Sequence, residues 1–272
     1  MKHNRGNVQL CPITLSCTDD RFGKTNQKMK INIVGYGTVG NAQAYLLRKL
    51  GHEVYIFDPY LFPDIKSPER NVDISFICTP DFAVENAIRN LIENKVDGLV
   101  VIKSTVPIGT TEELSKKFKI HICHNPEFLR EAHAYEDVMN PDRIVIGQCC
   151  PEHGKLLISL YSPLKKPIYV TSSKTSETVK LLSNSYLAML ITFWNEANEL
   201  CKQLGLDIRE VANLVCADRR MSRYGTRKFG EAFGGKCLPK DLNHLREAFR
   251  KFGLNPLLFD AIQDYNNKLK GR

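Results

Sequence analysis

Cys237 has the setting in this chain that most directly implies chemistry. It follows Phe233-Gly234-Gly235-Lys236 and precedes Leu238-Pro239-Lys240-Asp241. Glycines let the backbone turn tightly and come close to a ligand. A proline suits the first turn of a helix, where its missing N–H costs nothing. The order therefore predicts a helix opening at about Cys237, with a dipole that favours thiolate over thiol. Asp241 would then lie about one turn below the sulfur, within reach of a water or substrate hydroxyl beside it. A lone cysteine is more often an inert core residue; the rest of the chain reverses that balance.

A second constellation is the turn Gly35-Tyr36-Gly37-Thr38-Val39-Gly40, directly after the short apolar run Ile31 to Val34. A helical pattern follows (Ala42, Ala44, Leu46, Leu47, Leu50), then a strand from Glu53 to Phe57 that ends at Asp58. Strand, glycine turn, helix, strand and acid, in that order, form the Rossmann dinucleotide fingerprint. The glycines let a pyrophosphate rest on backbone N–H groups at the helix N-terminus. Asp58 would take the ribose hydroxyls and repel a 2′-phosphate, which favours NAD over NADP. A glycine-rich turn in a non-binding α/β domain is the plainer alternative.

Further strand-like runs are Asp73 to Cys78, Gly98 to Lys103, Lys119 to Cys123 and Arg143 to Gly147, most of them separated by helical stretches. That alternation predicts a doubly wound parallel sheet. Ligands in such sheets bind at the carboxyl ends of the strands. Those ends carry Cys78-Thr79-Pro80, Ser104-Thr105-Val106-Pro107 and Asn125-Pro126-Glu127. From Thr175 to about Leu204 one long helix is expected; Lys180 and Asn184, four apart, share a face of it. Without context that face reads as solvated.

The elements that must hold these residues fit in 272 residues, enough for one large or two small domains. We expect a basic, disordered extension over 1–28, a Rossmann-like domain over 29–172 and an α-helical domain over 173–272. The net charge is +8, half of it from Lys2, Arg5, Arg21, Lys24, Lys28 and Lys30 against Asp19 and Asp20. The remainder suits an anionic ligand such as a diphosphate, and nothing resembles a nucleic-acid module. No apolar run is long enough to span a bilayer, and no secretory signal is evident. The nine cysteines lack regular spacing, as expected for reduced cytoplasmic thiols. Cys149 and Cys150 cannot easily pair with each other, and Cys123-His124 lacks a partner pair at metal-ligand spacing, so no zinc or other metal site is expected.

Five segments together resemble the UDP-glucose/GDP-mannose dehydrogenase family: the glycine turn, Ser104 through Thr110, Asn125 through Glu131, Lys180 through Asn184, and Gly234 through Asp241. Their order and spacing match over about Met29 to Lys268. The resemblance implies a nicotinamide dehydrogenase with a helical second domain. Its activity would be oxidation of a nucleotide sugar's C6 alcohol to the carboxylate by two successive NAD, with UDP-glucose to UDP-glucuronate as the default. Cys237 would attack the intermediate aldehyde to give a thiohemiacetal and then a thioester. Lys180 and Asn184 would stabilise charge on the C6 oxygen. Glu131 would activate the hydrolytic water, with Thr105 and Asp241 holding it.

For the cofactor, the resemblance implies Gly35, Gly37, Thr38, Val39, Gly40, Asp58, Thr79, Ser104, Thr105 and Glu131. For the sugar nucleotide it implies Glu127, Phe128, Leu129, Lys180, Asn184, Arg220, Lys228, Phe233 and Gly234. It also implies a homodimer through the helix 175–204.

Two departures from the family pattern stand out. Asp58 and Thr79 are much closer in sequence than usual, which predicts a strand missing at the sheet edge and a more open adenosine side. The chain also ends at Arg272, where the family continues into a further domain that closes on the nucleotide base. Ala232 and Lys236 are smaller departures. A different class of reading is therefore an NAD-binding partner or regulator that has lost turnover. A third is a two-electron dehydrogenase of the 3-hydroxyacid type, which needs no thiol.

Overall fold

A computed structural model describes residues 28–235 and 237–271 of the chain. The expected extension over 1–28, apart from Lys28, lies outside the described residues, as do Lys236 and Arg272. The chain divides into two units: 28–104 with 109–177, and 105–108 with 178–271. The division falls within one long helix rather than ahead of it.

The first unit is built on a seven-stranded sheet of order β2-β1-β3-β4-β5-β6-β7. The strands are β1 (Lys30–Val34), β2 (Glu53–Phe57), β3 (Ile74–Ile77), β4 (Leu99–Ile102), β5 (Ile122–His124), β6 (Ile144–Gln148) and β7 (Ile168–Ser172). β3, β4 and, after the exposed Lys30, β1 are buried and mostly apolar, as strands covered on both faces must be, with Asn32 and Ser75 the polar exceptions. The crossover helices are α1 (Thr38–Lys49), α2 (Val84–Glu93), α3 (Thr110–Phe118), α4 (Ala134–Met139) and α5 (Pro151–Tyr161). α1 turns Ala42, Ala44, Leu46 and Leu47 into the core, where they join Ile31, Ile33, Ile74 and Phe76.

Strands β1 to β5 run parallel, as expected from the alternation of strands and helices. The next junction differs: β5 and β6 are antiparallel and share one registered pair, His124 with Gly147. β7, which the sequence reading did not include, lies parallel to β6 along five pairs. Among the described residues β2 is the last strand on its side.

The second unit is helical. It takes α6 (Ser173–Gln203) from Thr178 onward, then α7 (Ile208–Val215), α8 (Cys237–Lys251) and α9 (Leu257–Lys270). α6 is about 46 Å long at 1.5 Å per residue. Asp207 caps α7 by accepting the Arg209 N–H at 2.9 Å. Trp194 and Cys201 of α6 pack on Ile208 and Ala212 of α7. Ala188 packs on Phe233, Leu242 and Ile262. No helix is long and apolar enough to cross a membrane among the described residues.

Candidate functional site

In the first unit, the glycine turn sits where the strand order reverses, between β1 and β3, at the carboxyl ends of both strands. This is where open α/β sheets hold ligands. Gly35 has φ +89°, and a Cβ on it would stand 2.9 Å from the Thr79 nitrogen. A Cβ on Gly40 would come within 2.0 Å of the Gly35 carbonyl oxygen, so only glycine lets the helix begin this close to the strand. Gly37 is different: nothing lies within 4 Å of where its Cβ would be. That open space stands over the start of α1, where the N–H groups of Thr38 and Val39 belong to the first helical turn. A diphosphate fits this room and this polarity.

Asp58 is fixed against the turn. Its Oδ2 accepts the Tyr36 N–H at 2.8 Å, while Oδ1 accepts those of Tyr60 and Leu61 at 3.0 and 3.1 Å. Those bonds occupy both lone-pair sites of Oδ1 and leave one on Oδ2 for a hydroxyl donor. Thr79 presents a buried hydroxyl oxygen with no hydrogen-bond partner among the described residues. An orphan of this kind beside a glycine turn fits a bound ligand. A cleft of about 620 Å³ is lined by Tyr36, Gly37, Thr38 and Asn41 on one side and by Glu131 and Tyr135 on the other. Glu131 thus shares a cleft with the turn, although more than ninety residues separate them in sequence.

Other expected lining residues are engaged structurally. Ser104 donates its hydroxyl to the Thr79 carbonyl at 2.6 Å and ties the ends of β3 and β4 together. Asn125 is buried: its amide donates to the Val145 carbonyl at 2.7 Å. Its Oδ1 accepts from Tyr161 at 2.6 Å and from Lys103 at 2.9 Å. Burial pushes the Cys78 thiol up to about 12, so it stays protonated. Glu127 holds the Leu129 N–H at 2.6 Å, Leu129 packs on the core, and the Phe128 ring lies under the Arg143 guanidinium at 4.0 Å. His124 is a buried strand residue bonded to the Ser176 hydroxyl at 2.9 Å, which is a structural role.

One residue with a clear part in this loop architecture was given no role from the sequence. Glu177 is buried, and its carboxylate accepts the N–H groups of Gly109 and Thr111 at 2.6 and 2.8 Å and the Thr111 hydroxyl at 2.6 Å. It therefore closes the N-terminus of α3 from sixty-odd residues away. Burial pushes its ionisation upward, against the pull of these donors. Only an acid early in a helix hinted at this.

In the second unit, the turn before Cys237 behaves as expected. Gly235 has φ +73°, Cys237 opens α8 exposed to solvent, and Pro239 occupies the first turn. Asp241 follows one turn later and is only 1% exposed. Its Oδ2 accepts the Asn184 amide at 2.5 Å, and its Oδ1 pairs with the Lys240 ammonium at 2.7 Å. Lys180, one turn before Asn184 on α6, is 3% exposed. The solvated-face alternative for these two residues therefore fails. A cation, an amide and a carboxylate have been taken out of water together, where their fields act most strongly.

Phe233 is buried in the core beside Ala188, and its carbonyl accepts the Asn266 amide at 3.1 Å. Gly234 has open space where a Cβ would stand. Arg220 and Lys228 are not gathered with this group. Arg220 is 78% exposed and chelates Asp218, and Lys228 pairs with Glu231 at 3.3 Å. Thr105 is half-buried in the segment after β4.

The NAD binding domain of the UDP-glucose/GDP-mannose dehydrogenase family matches residues 63–165, and the family's central domain matches residues 174–268. A UDP-glucose 6-dehydrogenase of Rickettsia typhi is 35% identical over 89% of this chain and 67% of its own length. The UDP-glucose 6-dehydrogenase YwqF of Bacillus subtilis is 32% identical over 80% of this chain and 61% of its own. Among solved structures, a UDP-glucose dehydrogenase from the archaeon Pyrobaculum islandicum superposes with a TM-score of 0.82 at 29% identity. That match covers 90% of this chain and 69% of the other. The chain thus spans about two thirds of the length of these relatives. Its cofactor is NAD, and the chain belongs to the UDP-glucose/GDP-mannose dehydrogenase family.

Proposed function

We propose that the protein oxidises the C6 alcohol of a nucleotide sugar to the carboxylate, with UDP-glucose as the default substrate. The observation that carries this is the buried group on α6 and α8. Lys180 and Asn184 lie one turn apart, Asn184 is bonded to Asp241 at 2.5 Å, and Asp241 lies one turn along from Cys237. A simple alcohol dehydrogenation has no use for a thiol at a helix start beside such a group. An alcohol-to-acid oxidation does.

NAD, when bound, accepts the hydride of each of the two oxidations. The chain's residues do the rest. The Lys180 ammonium and the Asn184 amide donate to the C6 oxygen as negative charge develops there. The Cys237 thiolate adds to the aldehyde carbon, its electron pair forming the C–S bond as the C=O π pair moves to the oxygen, which takes up a proton. Loss of hydride and of that proton in the second oxidation turns the thiohemiacetal into a thioester. Glu131 takes a proton from the water that releases the carboxylate and regenerates the thiol. Asp241 orients the Asn184 amide and, with Thr105, holds that water. The backbone at Phe233 and Gly234 receives the sugar nucleotide, and Arg220 and Lys228 reach its diphosphate by exchanging their present partners, Asp218 and Glu231. Glu127, Phe128 and Leu129 shape the sugar pocket.

The test is NADH formation with UDP-glucose, UDP-N-acetylhexosamines and GDP-mannose, comparing the native chain with Cys237→Ala. Two NADH per UDP-glucose, abolished by the substitution, is the expected result. One NADH per sugar with full retention in the variant overturns the thioester route. No NADH from any sugar, with NAD still bound, favours an NAD-binding partner or regulator.

A further inference from the structure

Four side chains far from the glycine turn converge at the other end of the sheet. His121 precedes β5, Cys149 and Cys150 follow β6, and His153 lies in the first turn of α5. Because β5 and β6 are antiparallel, continuing the His124–Gly147 register sets the start of β5 beside the end of β6. Their candidate ligand atoms all lie within 4.8 Å of one another. The Cys149 and Cys150 sulfurs are 3.1 and 3.2 Å from the His153 Nδ1, and the two imidazoles meet edge to face at 4.9 Å.

We propose that His121, Cys149, Cys150 and His153 form a binding site for one zinc-class cation, unconnected with the dehydrogenase chemistry. Two thiolates and two neutral imidazoles make a closed Cys2His2 set, which matches zinc in charge and in ligand softness. Tetrahedral bonds of about 2.3 Å to sulfur and 2.0 Å to nitrogen set ligand atoms roughly 3.3–3.8 Å apart. The contacts of the two sulfurs with His153 need open by only a few tenths of an ångström, and the widest pairs, at up to 4.8 Å, must close by about 1 Å around a central ion. Cys149, Cys150 and His153 lie within five residues of one another, but the fourth ligand, His121, is brought to them only by the pairing of β5 with β6. The earlier expectation of no metal site looked for paired short spacings.

The site has a structural purpose. β5 and β6 share one registered pair, whereas β6 and β7 share five. A metal held by one ligand ahead of β5, two after β6 and one on α5 would staple this weakest seam of the sheet. Cys123 lies behind the cluster, its sulfur 3.6 Å from that of Cys149 and accepting the Cys149 N–H at 3.4 Å. The competing chemistry is therefore a disulfide from Cys149 to Cys123.

The full chain, purified under reducing conditions and stripped with a chelator, is titrated with Co²⁺ and then with Zn²⁺. The proposal expects one Co²⁺ per chain, with tetrahedral visible bands and thiolate charge-transfer bands, displaced by Zn²⁺. Those bands survive in Cys237→Ser and vanish in the Cys149→Ser/Cys150→Ser double variant. Zn²⁺ raises the melting temperature of the native chain and not that of the double variant. Should the double variant misfold, His121→Ala serves instead. It should weaken binding by more than the roughly tenfold typical of even outer-shell losses. No stoichiometric uptake, bands unchanged in the double variant, or a Cys123–Cys149 disulfide in place of metal would each overturn the proposal.

Discussion

The Asn184 amide of α6 donates to the buried Asp241 carboxylate of α8 at 2.5 Å, across fifty-seven residues of sequence. Each partner fixes the other: the carboxylate sets which way the amide faces, and the amide offsets part of the carboxylate's lost hydration. Truncating Asn184 to Ala should therefore act twice. It should cost about 2 kcal/mol of stability by leaving a charged acceptor short of its donor. It should also lower kcat/KM on UDP-glucose by about a hundredfold through loss of a donor to the reacting oxygen. Thermal melts and NADH progress curves on the same sample separate the two effects. A lower melting temperature with unchanged turnover would remove Asn184 from the chemistry.

The glycine turn offers a sharper pair of substitutions. Gly40→Ala drives a Cβ to within 2.0 Å of the Gly35 carbonyl and should destabilise the fold by about 2–3 kcal/mol. Gly37→Ala meets nothing within 4 Å, at an ordinary φ of −70°, and should fold normally. It fills the diphosphate room instead, so NAD affinity should fall about tenfold or more, equivalent to 1.4 kcal/mol per decade. Calorimetric NAD titration of folded Gly37→Ala decides the point; native affinity would place the diphosphate elsewhere.

Acid should loosen the helical unit through Asp260. Its carboxylate accepts from Arg246 and Arg250, both at 2.6 Å. The Arg246 hydrogen bond, followed by that of Arg250, holds its ionisation below the usual 3.8. A lowered folded value means that this stabilisation is present above the ordinary range and is lost as pH falls through the folded value. Asp260→Asn should thus lower the melting temperature at neutral pH, with the gap to the native chain closing below about pH 4. A gap that is constant across pH would show that the charge is not the cause.

Along α6, Leu182, Tyr186, Phe193 and Leu200 are exposed and fall within one stripe of the helix, while Leu181 and Trp194 are buried. A homodimer through this stripe is our expectation. Light scattering should give twice the chain mass at micromolar concentration, and Phe193→Glu should halve it. A monomer in the native protein would refute the dimer.

The parts of this fold written in contiguous residues were legible. Ile31 to Gly40 announces strand, turn and helix by itself, and the length of α6 follows from an uninterrupted helical pattern. What escaped depended on partners distant in sequence. β7 is a short, half-exposed Ile168-Tyr169-Val170 run whose identity comes from pairing with β6. The reversal at β6 is hidden because α4, only six residues long, looks locally like any crossover helix. Glu177 reads as one more helix acid until α3 is brought to it. For the site, the Cys237–Asp241 spacing was readable in the sequence, whereas the face of Lys180 and Asn184 read as solvated and its burial came from the fold. Asn125 and Ser104, expected as cleft lining, tie strand ends together. Arg220 and Lys228 carried charge suited to a diphosphate, yet both are paired with neighbouring acids on exposed loop segments.

With β2 outermost on its side among the described residues, that edge presents a row of backbone groups able to template pairing with another chain. Two features blunt this hazard. The strand is only five residues long, and the segment after it holds Pro59, Pro63 and Pro68, none of which can donate to a ladder. A shortened sheet edge therefore need not make this chain aggregation-prone. Replacing those prolines, remote in sequence from every catalytic residue, should free the segment after β2 to extend the edge and favour association through it.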